Sequence, residues 1–383
     1  MKKTIGMLVV LAAAVAAAAP VVRVGYEAAD KIGVAIDVKD AEFAKSLARN
    51  LVLSGCFKLD RGGSIKVTGA VGGEIVATGN GKKMTLPSSA ADAKAARMEA
   101  RRLADRMTEV YANQKGFASD RIAFVARRGK GVSELCTCYP DGADILQLTG
   151  DGKSVVGPRW KDRDSIFFTG IYNAGPQIYE LNTATMKRTL RWSFKGLATG
   201  AAASPDGSRV AIILSIHGNP ELYVIDLRAG SWARLTTTPG ASEGQPSWSP
   251  DGREIVYVSD ETRHPQLYVV DVATKRKRRL TSRGSQNVDP DWGADGRIVY
   301  ITKREGRSLV AVIDPKGDDR TALIATEPGS WEHPSWSRDG RHVVAGRDDA
   351  LFVVDIFPKE NGGADPVQLF RANGVWITPS WSR

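Results

Sequence analysis

One unit recurs through most of this chain and limits what it can fold into. Pro246-Ser247-Trp248-Ser249-Pro250-Asp251-Gly252-Arg253 returns as Pro290-Asp291-Trp292 with Asp295-Gly296-Arg297, and as Pro334-Ser335-Trp336-Ser337 with Asp339-Gly340-Arg341. Pro158-Arg159-Trp160 and Pro379-Ser380-Trp381 are further copies, and Ala203-Ser204-Pro205-Asp206-Gly207 is one that has lost its tryptophan. Positions 160, 203, 248, 292, 336 and 381 are spaced 43, 45, 44, 44 and 45 residues apart. So regular a period belongs to a solenoid or a propeller.

Within each unit an Asp-Gly turn leads into an alternating segment such as Ile255-Val256-Tyr257-Val258. About a dozen residues further on comes a second such segment, such as Leu267-Tyr268-Val269-Val270-Asp271, and then a short one such as Arg279-Leu280-Thr281. With the stretch around the tryptophan this makes four strands, the content of a propeller blade. The final copy supplies one strand, and the strands it lacks stand at 120–149, in Ile122 to Val125, Glu134 to Cys138 and Gln147 to Thr149. One blade is therefore expected to draw on both ends of the propeller, which closes the ring and leaves no open edge. Six blades are expected over 118–383.

Residues 20–117 lack the repeat. Strand-like Val21 to Tyr26 and Ile32 to Val38 precede a helix over 40–54, with Phe43, Leu47 and Leu51 on one face and Gly55 as its stop. Ile65 to Val67 and Glu74 to Ala77 suggest short strands, Asn80-Gly81 a hairpin turn, and about 89–113 a second helix. The fold class is mainly β, a six-bladed β-propeller preceded by a small α/β domain. Ahead of it, Lys2 and Lys3 introduce an apolar run from Ile5 to Ala19, expected to be a signal peptide over 1–19 cleaved near Ala18 or Ala19.

The chain is basic, with 53 Lys and Arg against 43 Asp and Glu, and export favours anionic envelope material or acidic partners over nucleic acid. Lys275-Arg276-Lys277-Arg278-Arg279 is expected to be a solvated turn between strands. Cys136 and Cys138 take the places of Tyr223 and Ile225 in the repeat, so both are expected to pack inside a blade. Cys56 follows a helix stop and is expected to be small and buried.

Catalytic patterns are weak. Gly240-Ala241-Ser242-Glu243-Gly244 matches Gly-x-Ser-x-Gly, but a nucleophile needs a strand, a sharp turn and a helix, whereas this stretch precedes Pro246-Ser247-Trp248 within the repeat. Gly152-Lys153-Ser154 and Gly81-Lys82-Lys83 lack the upstream glycine of a phosphate loop. His217, His264, His333 and His342 show no ligand spacing, and no Asp-x-Asp-x-Asp calcium loop is present. No catalytic residue, metal or cofactor is expected.

Taken together, these features resemble the TolB family, periplasmic propeller proteins of the Tol–Pal envelope system. The resemblance is carried by the Pro-x-Trp-Ser-x-Asp-Gly units, by Gly284-Ser285-Gln286-Asn287-Val288-Asp289, and by the helix-to-strand junction Asn50 to Arg61. It implies a non-enzymatic, monomeric periplasmic scaffold that supports outer-membrane integrity and envelope constriction at cell division. A Pal-like peptidoglycan-associated lipoprotein would bind one end of the propeller, and the protein would be peripheral to the outer membrane through that partner. A TolA-like protein would engage the mature N-terminus, here Val21, Val22, Arg23 and Val24. The stretch from Arg61 to Ser89 is shorter than the family's usual one, as though a hairpin were missing. The loops before each Pro-x-Trp unit supply the candidates for Pal binding: Glu243, Gln245, Asn287, Asp289, Glu332 and His333. The alternative reading is a propeller enzyme or glycan-binding sensor acting on envelope material in the channel.

Since Cys136 and Cys138 substitute for packing residues and Cys56 is expected to be small and buried, titrating the unfolded, unreduced protein with a thiol reagent should count all three as free thiols. A count of one would reveal a disulfide.

Overall fold

The Ser-x-Asp-Gly segments become tight turns because each residue has a task in them. In the computed structural model, Ser249 Oγ donates to Asp251 Oδ1 (2.7 Å) and accepts from the Glu254 amide (2.9 Å). Asp251 Oδ1 also accepts from the Arg253 amide (3.1 Å). Gly252 takes a φ of 65°, and its counterparts Gly207 and Gly340 take 68° and 69°, a region costly for residues with a Cβ. The closing Arg-Leu-Thr segments are equally specific. Thr236 and Thr281 accept from the amides of Leu222 (2.9 Å) and Leu267 (3.0 Å), which ties the last strand of the blade to the third.

The structure describes residues 31–129, 131–172, 175–317, 321–357, 365–370 and 374–382. The expected signal peptide, the strand from Val21 to Tyr26, and Val21 to Val24 as a partner-binding segment lie outside the described residues.

The N-terminal unit comprises β1 (Ile32–Val38), α1 (Ala41–Leu53), β2 (Phe57–Leu59), β3 (Ile65–Gly69), β4 (Glu74–Gly79), β5 (Lys82–Pro87) and α2 (Ala93–Ala112). Its sheet runs in the order β2-β1-β3-β4-β5, with β1 parallel to β2 and β3 and the remaining pairs antiparallel. Asp40 and Asp92 cap the helices by accepting from the amides of Phe43 (2.8 Å) and Ala95 (2.7 Å). Asn80 and Gly81, both at positive φ, turn the β4–β5 hairpin. The predicted helix faces meet in one core, where Phe43, Leu47 and Leu51 pack with Ala96, Ala100, Leu103 and Met107 against Ile65, Val67 and Ile75.

Six four-stranded antiparallel sheets follow. The first blade holds β6 (Ile122–Gly129), β7 (Val132–Cys138) and β8 (Leu146–Gln147); the second holds β9 (Ser154–Trp160), β10 (Ser165–Tyr172), β11 (Gly175–Asn182) and β12 (Arg188–Trp192). The third has β13 (Ala198–Ala203), β14 (Arg209–Leu214), β15 (Glu221–Asp226) and β16 (Trp232–Arg234), and the fourth β17 (Glu243–Trp248), β18 (Glu254–Ser259), β19 (Gln266–Asp271) and β20 (Lys277–Arg279). The fifth has β21 (Gln286–Trp292), β22 (Ile298–Arg304), β23 (Arg307–Ile313) and β24 (Thr321–Ala325), and the sixth β25 (Trp331–Trp336), β26 (His342–Arg347), β27 (Ala350–Asp355) and β28 (Val367–Gln368). The chain's last strand, β29 (Val375–Trp381), completes the first blade by pairing with β6, with Trp381 opposite Ile122. The circular arrangement expected from the repeat is thus the observed one.

The recurring tryptophan, present in every unit but that of Ala203, works at the seam between blades. Trp248 is buried among Ala211, Ile213, Leu222 and Val224 of the third blade, and its Nε1 donates to Ala202 O (2.9 Å). Arg209, just past the third blade's Asp-Gly turn, lies 4.8 Å from the Trp248 ring and donates to Gly252 O (2.8 Å). Arg297 repeats this two seams further on, over Trp336 and onto Gly340 O. At the seam where Ala203 replaces tryptophan, Phe167, Trp192 and Phe194 supply the missing bulk.

Several local expectations are amended. Lys277 to Arg279 form an exposed edge strand, β20, because their backbone pairs with Val270 to Tyr268; only Lys275 and Arg276 stay in the turn. Cys136 and Cys138 are buried in β7 as expected, and burial raises the Cys136 thiol to about 11. Cys56 is only half-buried, since its sulfur faces Arg341 Nη1 (3.8 Å) across the junction with the sixth blade.

Closure rests on one strand. Deleting residues 377–383 removes Trp381 from its core and exposes the edge of β6, a loss on the order of 5 kcal/mol. Thermal unfolding should fall by many degrees; an unchanged midpoint would contradict ring closure as a source of stability.

Candidate functional site

The innermost strands line the central channel, and each is kinked once. Pairing shifts register at the same place in all six, for instance between Val288 and Asp291 against β22. At that place stand Gly157, Gly200, Gln245, Asp289, His333 and Thr378, all with φ between 47° and 68°. Five of the six precede proline, which ordinarily holds its predecessor in extended conformation. Four are residues other than glycine in a costly conformation, and such strain gathers where side chains must be aimed.

The kinks bring Gln245, Asp289 and His333 into one chain of contacts. Gln245 Nε2 donates to Asp289 Oδ1, while the Asp289 amide donates to Gln245 Oε1 (2.9 Å). The His333 amide donates to Asp289 Oδ2 (3.1 Å), and His333 Nδ1 lies 3.0 Å from Asp289 Oδ1. Burial alone would raise the Asp289 carboxyl; the His333 charge and hydrogen bonds outweigh it and hold the group below the usual carboxylate range. Burial works against the charged imidazole, and Asp289 overcomes this to raise His333. Burial likewise raises Glu332, against the pull of His333. Glu332, His333 and Asp289 line a recess of about 190 Å³ together with Lys303, Ser308 and Trp331.

A second girdle lies one step further along the same strands. Asp291 accepts from Ser247 Oγ (3.2 Å) and Ser335 Oγ (3.1 Å), and its Oδ2 takes the Trp336 amide (2.8 Å). Arg159 reaches Asp291 Oδ1 (3.2 Å) from the second blade, three blades away, so this ion pair spans the axis. The other end of the propeller carries the N-terminal unit. Arg101 of α2 is fully buried against Asp141 (2.9 Å) and Asp144 (2.8 Å) in the β7–β8 connection, with Tyr139 stacked 3.9 Å away. Ser46 and Asn50 of α1 donate to the same Asp141 (3.2 and 3.1 Å). Among the described residues the open mouth is therefore the end where the innermost strands begin.

The six candidates for Pal binding are at this mouth, but not on loops. All lie within β17, β21 and β25, because the strands begin earlier than the Pro-x-Trp motif suggests. Gln245, Glu332 and His333 are half-buried, whereas Glu243, Asn287 and Asp289 are buried. Asn287 Nδ2 donates to Gln266 Oε1 (2.7 Å), bracing the fourth blade against the fifth. Glu243 holds the equivalent place one seam earlier, facing Glu221 where the later seam has Gln266. Glu221 accepts from Thr236 Oγ1 (2.6 Å), the Thr238 amide (2.8 Å) and Arg234 (2.7 Å), which keep it ionised against its burial. Burial and the Glu221 charge raise Glu243 to about 7. Residue spacing gave no sign of this pair or of Arg159; equivalence between blades would have located both.

As for Gly240 to Gly244, Glu243 opens strand β17, so no strand–turn–helix surrounds Ser242. Among the described residues no group of three or more His, Cys, Asp or Glu is placed to hold a metal ion.

Comparison with known proteins gives the following. The family model for the TolB beta propeller domain matches residues 108–383. The Tol-Pal system protein TolB of Anaeromyxobacter dehalogenans (strain 2CP-C) is 31% identical over 174 residues, 44% of this chain and 38% of that protein. That of Gluconobacter oxydans (strain 621H) is 29% identical over 143 residues, 36% of this chain and 32% of that protein. The matched stretch is thus about a third of each curated relative's length. The crystal structure of TolB from Acinetobacter baumannii superposes with a TM-score of 0.79 at 22% identity, covering 94% of this chain and 98% of that one. This likeness shows a common fold, the N-terminal α/β unit included.

Glu243 gives a pH test. Its folded-state pKa is raised, so its contribution to stability is complete below the ordinary carboxyl range and is lost as pH rises through about 7. Glu243→Gln keeps a donor toward Glu221 without titrating. It should raise the melting temperature at about pH 8 by a few degrees, on the order of 2–3 kcal/mol, and leave it unchanged at about pH 4. Equal effects at both pH values would show that the pair does not share a proton.

Proposed function

The chain belongs to the TolB β-propeller family, and from that premise we propose that it is a non-enzymatic scaffold of the Tol–Pal envelope system. In this reading a Pal-like lipoprotein docks at the open channel mouth. The observation that carries it is the row of strained kinks aiming Gln245, Asp289 and His333 at one place. Such a mouth is already ordered before a partner arrives, which lowers the entropic cost of binding. Gln245, Glu332 and His333 are the contact residues, Asp289 sets their orientation, and Glu243 and Asn287 brace the seams behind them.

The remaining parts of the reading follow from family membership. The protein works in the periplasm after removal of residues 1–19, and Val21, Val22, Arg23 and Val24 add as a strand to a TolA-like partner. Coupling the two partners serves outer-membrane integrity and constriction at cell division. Coupling requires that a Pal-like partner bind one arrangement of the N-terminal segment better than another.

Calorimetry with the soluble domain of a Pal-like lipoprotein tests the proposal. Glu332→Ala with Gln245→Ala should weaken binding by at least about tenfold while the melting temperature stays within a few degrees. Deletion of residues 20–25 should leave that affinity unchanged and abolish binding of a TolA-like domain. Undiminished Pal binding by the double variant would refute the mouth as the docking site, and undiminished TolA binding would refute the N-terminal role.

A further inference from the structure

The outer rim of the propeller is electrically lopsided. The outermost strands of the second, third and fourth blades carry Arg188 and Arg191, Arg234, and Lys277, Arg278 and Arg279, with no acidic residue among them. The outermost strands of the other three blades, β24, β28 and β8, carry no charged residue at all. Turns leading into the basic strands add Lys187, Arg228, Lys275 and Arg276, none of which forms an ion pair among the described residues. Charges on edge strands also guard against sheet-to-sheet aggregation, but that need is the same for all six edges. It does not account for six cations on three edges and none on the rest.

Ion pairs beneath this rim hold five of the six strand cations and offset their charge, Arg234 on Glu221 (2.7 Å) and Arg278 on Glu254 (3.7 Å) among them. The uncompensated charge is therefore that of Arg279 and the four turn cations. Arg188 pairs with Asp151, Arg191 with Glu180 (3.2 Å) and Lys277 with Glu261, and each of these cations keeps about a third of its side-chain surface exposed. Between the cations stand apolar side chains in water: Met186, Leu190 and Trp232 are 46%, 47% and 49% exposed. Phe194, on the connection leaving β12, packs edge-on against Trp232 at 6.2 Å, so the apolar groups of the second and third blades adjoin.

We propose that the rim of the second to fourth blades is a docking surface for a membrane bearing anionic lipid headgroups. Clustered Lys and Arg attract such a surface at a range set by ionic strength, and an indole beside them suits the headgroup boundary. A soluble polyanion would use the cations alone. Met186 and Leu190 offer it nothing, whereas acyl chains just below the headgroups accept both. No described helix is long and apolar enough to cross a membrane, so this contact is peripheral. It is independent of the channel mouth and of any protein partner.

Co-sedimentation of the purified protein with vesicles tests the proposal. It should pellet with phosphatidylcholine vesicles containing phosphatidylglycerol, not with phosphatidylcholine alone, and salt should release it. Replacing Lys187, Arg228, Lys275 and Arg276 together by Gln should weaken binding by roughly tenfold or more. Brominated phosphatidylglycerol should quench tryptophan emission in the parent protein and much less in Trp232→Phe. All five positions are on the surface, and circular dichroism checks that the variants fold. Equal binding to both vesicle types, binding undiminished in the fourfold variant, or quenching unaffected by Trp232→Phe would each overturn the assignment. Dextran sulfate displacing the protein with no bromolipid quenching would likewise show a polyanion site rather than a membrane one.

Discussion

A ring of blades is held in shape only when its first and last strands meet, and here that contact is β29 on β6. Every other seam joins neighbours in sequence, so its formation costs little loop-closure entropy. The closing seam joins residues more than two hundred positions apart and must be rewarded strongly. Trp381 supplies much of that reward, buried with Ile122, Phe124 and Cys138 and set edge-on to Phe117 at 5.3 Å. Phe117 lies on the connection from the N-terminal unit, and Arg338 of the sixth blade bonds Gly116 O there (3.0 Å). The same few residues therefore join ring closure to docking of the α/β unit.

A closed ring gives the channel its geometry. Opposite blades come close enough for Arg159 to reach Asp291, and neighbouring inner strands pass hydrogen bonds from one to the next. The Trp292 amide donates to Ser247 Oγ (3.0 Å), the Trp336 amide to Asp291 Oδ2, and the Trp381 amide to Ser335 Oγ (3.1 Å). These links cover the fourth blade to the first. On the remaining arc the kinks hold Gly157 and Gly200, and the places of Ser247 and Asp291 are taken by Arg159, which crosses the axis to Asp291, and by Ala202.

Much of the architecture was legible in residue order because it follows from local chemistry. Asp-Gly turns, alternating strands and the repeating tryptophan each obey short-range rules, and the repeat multiplied a weak signal sixfold. Cys136 and Cys138 were placed correctly for the same reason, by equivalence with Tyr223 and Ile225. The site was less legible. Residues before proline favour extended backbone, so the left-handed kinks at Gln245, Asp289 and His333 run against the local rule, and residue order alone reads these positions as loops. Arg101, Arg159 and the Glu221–Glu243 pair depend on contacts between distant segments, and their type and spacing alone look like solvated charge. Burial came from the assembled ring.

Hydrogen exchange on the complex with a Pal-like lipoprotein's soluble domain tests the scaffold account most directly. The account predicts new protection in the first halves of β17, β21 and β25, around Gln245, Asp289 and His333, with the Arg101–Asp141 junction at the other end unchanged. Protection confined to the N-terminal unit or to the Asp-Gly turns, with the kinked strands unaffected, would contradict it.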